Sequence, residues 1–190
     1  LERHGVENVF ISVRYLGEQI ENHIKSRKSF TKAKVIWEKK PLGTLGSASL
    51  VESFSNDTIL VTNSDVLTNI DYEKFLLDFL QSGADMSVVG IPYQVNVPYA
   101  VMDIVDGNVV KFQEKPSFTY YSNGGIYLIK KNILESIPFN TFFNTTDLMD
   151  KVINNGGILR SYPLKEYWLD IGRPEDFEKA NIEIKSIDFL

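Results

Sequence analysis

The chain of 190 residues contains no cysteine. That absence excludes disulfides, thiolate nucleophiles and zinc–thiolate centres. Histidine is nearly as scarce, with only His4 and His23. Neither lies near an acidic cluster with metal-ligand spacing, and both read as helix-surface residues. No apolar run reaches the roughly 20 residues that a membrane helix needs. No charged-then-apolar leader precedes a small-residue cleavage site, so a cytoplasmic protein is the default expectation. Positive charge is in deficit too. Lys and Arg total 20 against 25 Asp and Glu, a formal net charge of -5, which argues against non-specific binding to nucleic acid. A phosphate-bearing ligand would have to be met by a few local donors or by a metal.

What is present is an ordinary globular balance, 43% hydrophobic and 24% charged residues. The length suits one domain, 1–190, with a sizeable core. Apolar periodicity predicts strands at Val9–Val13, Val35–Trp37, Thr58–Thr62 and Met86–Ile91. Between them it predicts helices over Gly17–Arg27, Ser47–Phe54 and Tyr72–Gln81. Asp71 caps the last of these, with Phe75, Leu76, Phe79 and Leu80 on one face. Such alternation implies parallel strands joined by helical crossovers, an α/β sheet covered on both faces. The pattern then changes. Asp106-Gly107-Asn108 is a hairpin turn between Tyr99–Val105 and Val109–Glu114, since these residue types tolerate positive φ. Further elements are a strand at Tyr121–Ile129, short helices at Asn132–Ser136 and Thr146–Asn155, and a strand at Ile158–Tyr162. A final helix carries Pro174 in its first turn.

Four segments depart from what packing alone requires. Leu42-Gly43-Thr44-Leu45-Gly46 would let backbone amides approach a flat or anionic ligand, although glycine-rich turns are common without one. Asn63-Ser64-Asp65 ends an apolar strand, and taken alone Asp65 reads as an Asx turn. Glu114-Lys115-Pro116 reads as a solvated charge pair whose proline holds Lys115 in extended backbone. In Trp168-Leu169-Asp170-Ile171-Gly172-Arg173-Pro174 a carboxylate sits between apolar neighbours and would be costly to bury without a partner. Magnesium is one such partner, held by a carboxylate or two plus substrate phosphate oxygens.

In order and combination these segments resemble the nucleotide-sugar pyrophosphorylases, the sugar-1-phosphate nucleotidyltransferases. The resemblance runs from about Gly5 to Asn181 through LGTLGSA (42–48), TNSDVLTNID (62–71), VPYAVMD (97–103), FQEKP (112–116), NGGIYLI (123–129) and YWLDIGRPEDF (167–177). Its nearest flavour is a bacterial group of hexose and hexosamine 1-phosphate guanylyltransferases often joined to CBS domains. The resemblance implies a Rossmann-like mixed, mostly parallel sheet flanked by helices, the nucleotide-diphospho-sugar transferase fold. It implies attack of a sugar 1-phosphate on the α-phosphorus of a nucleoside triphosphate, with pyrophosphate released. Asp65 and Asp170 would hold Mg²⁺, and Lys115 would grip the sugar's phosphate. Glu38, Gly43, Thr44 and Gly46 would lie along the nucleotide. Tyr99, Ala100, Glu114, Asn123 and Thr146 would meet the sugar, with Asp147 beside Thr146. The implied partners are the two substrates, with room for a homo-oligomer and for a CBS-domain region in a longer chain.

Departures from the family pattern carry their own expectations. Family members usually have glycine at Ser64, alanine at Leu45 and often glycine at Ala100, so Leu45 is expected to narrow the base site. The chain opens Leu1-Glu2-Arg3-His4-Gly5, like a fragment joined midway. The family's first strand and glycine-rich loop, with its Arg and Lys, have no counterpart. The fold is therefore expected to be N-terminally truncated, the gene product longer, and this chain alone a poor catalyst. Two other readings stand beside the enzyme. One is a degenerate nucleotide-sugar-binding module that regulates a partner. The other is a glycosyltransferase, disfavoured because Leu67 stands where its second acidic residue would be.

Overall fold

The computed structural model describes residues 1–27, 29 and 31–188. Its first unit is a parallel pair, β1 (Asn8–Val13) and β2 (Lys32–Trp37), joined by helix α1 (Gly17–Ser26). His4 rests edge-on against Tyr72 at 5.3 Å between ring centroids. After β2 the chain makes a 3-10 turn over Gly46–Leu50, shorter than the helix expected for 47–54. Local bonding explains the shortfall. The Ser49 hydroxyl donates to the Gly46 carbonyl and accepts from the Asn140 amide, and such serine contacts compete with α-helical bonding.

The main sheet has four strands in the order β3 (Thr58–Thr62), β8 (Ser117–Lys130), β5 (Met86–Asn96), β9 (Leu159–Pro163). β5 and β9 run parallel, while β8 is antiparallel to both β3 and β5. The sheet is thus mixed, as expected, but a returning strand separates β3 from β5. The reason lies in the hairpin β6 (Val101–Val105) and β7 (Asn108–Gln113), which reverses the chain. Asp106 and Gly107 both have positive φ, 49° and 78°, the conformation that matches strand twist in tight hairpins.

The second half of strand β8, from Gly124 to Ile129, is buried on both faces, whereas its first half is exposed. Ile126 and Leu128 face one cluster with Phe75, Phe79 and Val89. Tyr127 and Ile129 face the other with Met86, Leu148 and Val152. Helix α2 (Tyr72–Ser82) covers the first cluster and α4 (Thr145–Asn154) the second; α3 (Lys131–Leu134) follows β8 directly. Each side chain as large as Phe75 contributes about 1.5–3 kcal/mol by leaving water. The apolar face of α2 is narrower than expected. Phe75 and Phe79 are buried, whereas Leu76 and Leu80 are 37% and 58% exposed. Residues four apart share a stripe, and those next to them lie about 100° around the helix.

Two short strands escaped the periodicity altogether. β4 (Val66–Thr68) pairs antiparallel with β10 (Trp168–Asp170), just before helix α5 (Pro174–Glu183). Three residues are too few to show a period, yet this pairing positions the candidate site.

Candidate active site

Strand β3 ends at Thr62, and Asn63-Ser64-Asp65 turn beyond it beside β8. The Asn63 amide donates to the Gly125 carbonyl at 2.8 Å, and the Asn63 side chain lies against the bare Gly125 Cα. Gly125 has φ 71°, and a Cβ there would come 2.9 Å from Asn63 Nδ2. A glycine is required on both counts. Strand β4 then pairs with β10 so that Val66 faces Asp170. The Asp65 carbonyl accepts from the Ile171 amide at 2.8 Å.

Two carboxylates more than a hundred positions apart in sequence therefore meet. They flank Gly172, where an added Cβ would lie 3.1 Å from Asp170 Oδ1 and 3.4 Å from Asp65 Oδ2. Asp170 Oδ1 also accepts from the Gly172 amide at 2.8 Å. Among the described residues neither carboxylate makes an ion pair. The cleft around them has a volume of about 500 Å³ and is completed by Trp168, Leu169, Arg173 and Asp176. Both aspartates are exposed. Asp170 therefore does not bear the cost of burial between its apolar neighbours: its edge strand projects it into the cleft. Like charges repel by roughly 1 kcal/mol at 4 Å in water, and a cation held between two neighbouring carboxylates would relieve that repulsion.

Trp168, Arg173 and Asp176 received no role from sequence. The Trp168 indole donates to the Gly124 carbonyl at 2.8 Å and locks β10 onto β8. Arg173 Nε donates to Asp176 Oδ2 at 2.9 Å. The signal was the i, i+3 spacing of the pair across the first turn of α5. Tyr167 ties the same region together by donating to Glu183 at 2.5 Å. Burial first, and that carboxylate second, push its phenol up to about 12.

On the expected nucleotide side, Glu38 is a turn-builder. It accepts from the Ser12 hydroxyl and, at 3.1 Å, from the Leu42 amide. Gly43 and Gly46 press against the segment 141–144. At Gly43, with φ 76°, a Cβ would meet Asn144 Oδ1 at 2.7 Å; at Gly46 it would strike the Thr141 carbonyl. Both glycines are thus explained by close backbone packing. Leu45 is 2% exposed within the α4-side core. It points inward, so it does not narrow a base site.

On the expected sugar side, Tyr99, Ala100, Glu114 and Lys115 are exposed on the extension beyond β5. The structure shows no contact between them and the paired aspartates. Lys115 has φ 43°, which corrects the extended backbone expected before Pro116. A tight reversal has to return the hairpin to β8, where the Val97 amide donates to the buried Pro116's carbonyl at 3.0 Å. Asn123 lies on β8, with Oδ1 accepting from Gly125 N and from the Tyr127 hydroxyl at 3.0 and 2.9 Å. Thr146 is exposed at the start of α4, whereas its neighbour Thr145 is buried and bonded to Thr44. Asp147 closes a capping box with Asn144, a structural duty.

A second cavity, of about 590 Å³, lies around Asp57, Gly83, Lys130 and Lys131. Its cations are already engaged, Lys130 by Asp85 at 2.8 Å and Lys131 by the Phe54 carbonyl at 2.7 Å. The aspartate cleft is the better candidate.

Residues 1–187 match the family model described as nucleotidyl transferase. The chain belongs to that family. Among relatives of this nucleotidyl transferase is the D-glycero-alpha-D-manno-heptose 1-phosphate guanylyltransferase of Aneurinibacillus thermoaerophilus. It is 26% identical over 97% of this chain and 81% of its own length. The mannose-1-phosphate guanylyltransferase catalytic subunit beta of Xenopus tropicalis is 25% identical over 93% of the chain and 51% of its own length. The chain thus spans about half the length of several curated relatives it matches, 53% in another case. The crystal structure of HddC from Yersinia pseudotuberculosis superposes with a TM-score of 0.72. It is 29% identical, covering 96% of this chain and 81% of that one. HddC is also known complexed with GMP-PN. Among the described residues, no helix is long and apolar enough to cross a membrane.

Proposed function

We propose that the protein containing this chain makes a nucleotide-sugar from a nucleoside triphosphate and a hexose, hexosamine or related sugar 1-phosphate, for surface polysaccharide or glycan synthesis. The observation that carries this reading is the meeting of Asp65 and Asp170 around Gly172 in an open cleft. Family membership supports the reaction class, and relatives named as guanylyltransferases support GTP as the nucleotide.

The chemistry joins two anions. A phosphate oxygen of the sugar 1-phosphate forms a bond to the α-phosphorus, and the bond from that phosphorus to the β-phosphate's bridging oxygen breaks. Pyrophosphate leaves with the bonding pair. Little acid–base work is needed, so the protein must position groups and neutralise charge. Asp65 and Asp170 fit a hard divalent cation. They offer oxygen donors only, no nitrogen or sulfur, and among the described residues no cation pairs with them, Arg173 being taken by Asp176. Among the described residues no third His, Cys, Asp or Glu joins them. That suits Mg²⁺, which takes one or two carboxylates and completes its sphere with water and substrate phosphate. When bound, Mg²⁺ would neutralise charge on the α-phosphate. Lys115 would hold the sugar's phosphate, and Glu114 and Asn123 its hydroxyls. Glu38 and the 43–46 turn would frame the nucleotide.

The test is pyrophosphate release by the full-length protein, with Mg²⁺, each nucleoside triphosphate and a panel of sugar 1-phosphates. Turnover is expected with GTP and at least one sugar. Asp170→Asn should lower kcat by roughly 100-fold or more with an unchanged melting temperature. Near-normal turnover of that variant would overturn the metal assignment. Nucleotide-sugar binding without turnover on any pair would instead establish the regulatory binding module.

A further inference from the structure

We propose that Tyr127 is a positioning residue: its hydroxyl fixes the Asn123 amide so that Nδ2 faces the sugar 1-phosphate. The sugar part of this inference rests on the function proposed above; the positioning part rests on geometry alone. An asparagine side chain can rotate by half a turn and exchange its oxygen for its nitrogen. Here the exchange is blocked. The Gly125 backbone amide, which can only donate, points at one Asn123 atom from 3.0 Å. That atom must be Oδ1. The Tyr127 hydroxyl donates to the same oxygen at 2.9 Å. With both acceptor positions used, Nδ2 keeps two donors, and among the described residues neither has a protein partner. The side chain is exposed, so those donors are presented to a ligand rich in acceptors, such as sugar hydroxyls.

Tyr127 suits the task because it cannot easily move. Its ring is 3% exposed in the α4-side core. Burial raises the phenol above its ordinary value, and contacts with Asn123 and Thr145 oppose that less strongly. It therefore keeps its proton and remains a donor at neutral pH. Beyond it, Thr145 and Thr44 share a hydroxyl contact of 3.1 Å, and the Thr145 amide donates to Thr44 Oγ1 at 2.9 Å. The Thr44 amide donates to Asn144 at 3.3 Å. These bonds hold Thr145, and with it the start of α4, to the turn expected along the nucleotide.

Tyr127→Phe keeps the ring and removes only the donor. In the full-length protein, its expected effect is a roughly tenfold rise in KM for the sugar 1-phosphate. KM for the nucleoside triphosphate should stay within about twofold and the melting temperature should change little. Asn123→Ala added to Tyr127→Phe should cost no more than Asn123→Ala alone, because one residue acts through the other. Additive losses, or equal rises in both KM values, would overturn the proposal. A second readout does not need turnover. In ¹⁵N-labelled protein the Asn123 side-chain amide should give one ordered pair of proton signals, which Tyr127→Phe averages or splits. An unchanged pair would refute the positioning role, whereas an inactive wild type with the expected spectral change would refute only the enzyme reading.

Discussion

Gly172 does at residue scale what no carboxylate can do alone. By lacking a Cβ it leaves open the space between Asp65 Oδ2 and Asp170 Oδ1. Gly172 is not among the glycines with positive φ, so alanine would be accepted by the backbone. Gly172→Ala should therefore leave the melting temperature nearly unchanged while weakening activation by Mg²⁺ about tenfold or more. A titration of turnover against Mg²⁺ measures this, and an unaltered curve would show that no ion sits between the aspartates. Asp65 and Asp170 were legible in sequence as a pair only through the family resemblance. Locally, Asp65 was a turn residue. Leu45 shows the opposite case: sequence flagged it as an obstacle to a ligand, and the backbone turns it into the core. Side-chain direction in an irregular turn has no period to read.

At the scale of elements, the regular pieces follow from patterning. Strand β3 begins and ends where the apolar run does, and Asp71 accepts from the Lys74 amide as an N-cap should. What patterning could not supply are β4 and β10, and the return of β8 between β3 and β5. Charge pairs then fasten elements together. Asp78 of α2 grips Arg160 of β9 through two bonds of 2.6 and 2.7 Å. Asp85, at the start of β5, receives Lys130 Nζ at 2.8 Å and the Ile158 amide at 2.9 Å. The Lys130 hydrogen bond first, and the Ile158 amide second, hold the Asp85 carboxyl below its usual 3.8. A carboxylate depressed in the folded state adds stability above its unfolded pKa. That contribution is lost as pH falls through the folded value. Asp85→Asn should accordingly melt below wild type at pH 7, and the two should converge as pH drops below the ordinary carboxylate range. Melting curves from pH 7 to pH 2 test this; a gap that persists in acid would assign the loss to packing instead.

For the whole molecule, the core and the site are built from different material. Two apolar clusters lie on opposite faces of β8 among the described residues, and none of their members is a proposed metal ligand. Chelation by EDTA should thus abolish turnover in the full-length protein and restore it on adding Mg²⁺, with little change in melting temperature. A large drop in melting temperature would mean that the cation is structural. The contrast with small zinc domains is physical: there the metal replaces a core, whereas here the proposed ligands lie outside both apolar clusters.

Composition and periodicity by themselves determined an α/β chain with no thiol chemistry and no apolar run long enough for a membrane helix. Those properties depend on residue type and near-neighbour spacing, which a sequence states directly. Ordered motifs added the nucleotidyl transferase resemblance. Only the tertiary structure decided that Asp65 and Asp170 meet, that Lys115 lies in left-handed backbone, and that Asn123 is held by Tyr127. Each of these depends on a contact between segments or on a single backbone angle. Long-range pairing of short strands is settled by the packing energy of the whole sheet, which no local window of sequence contains.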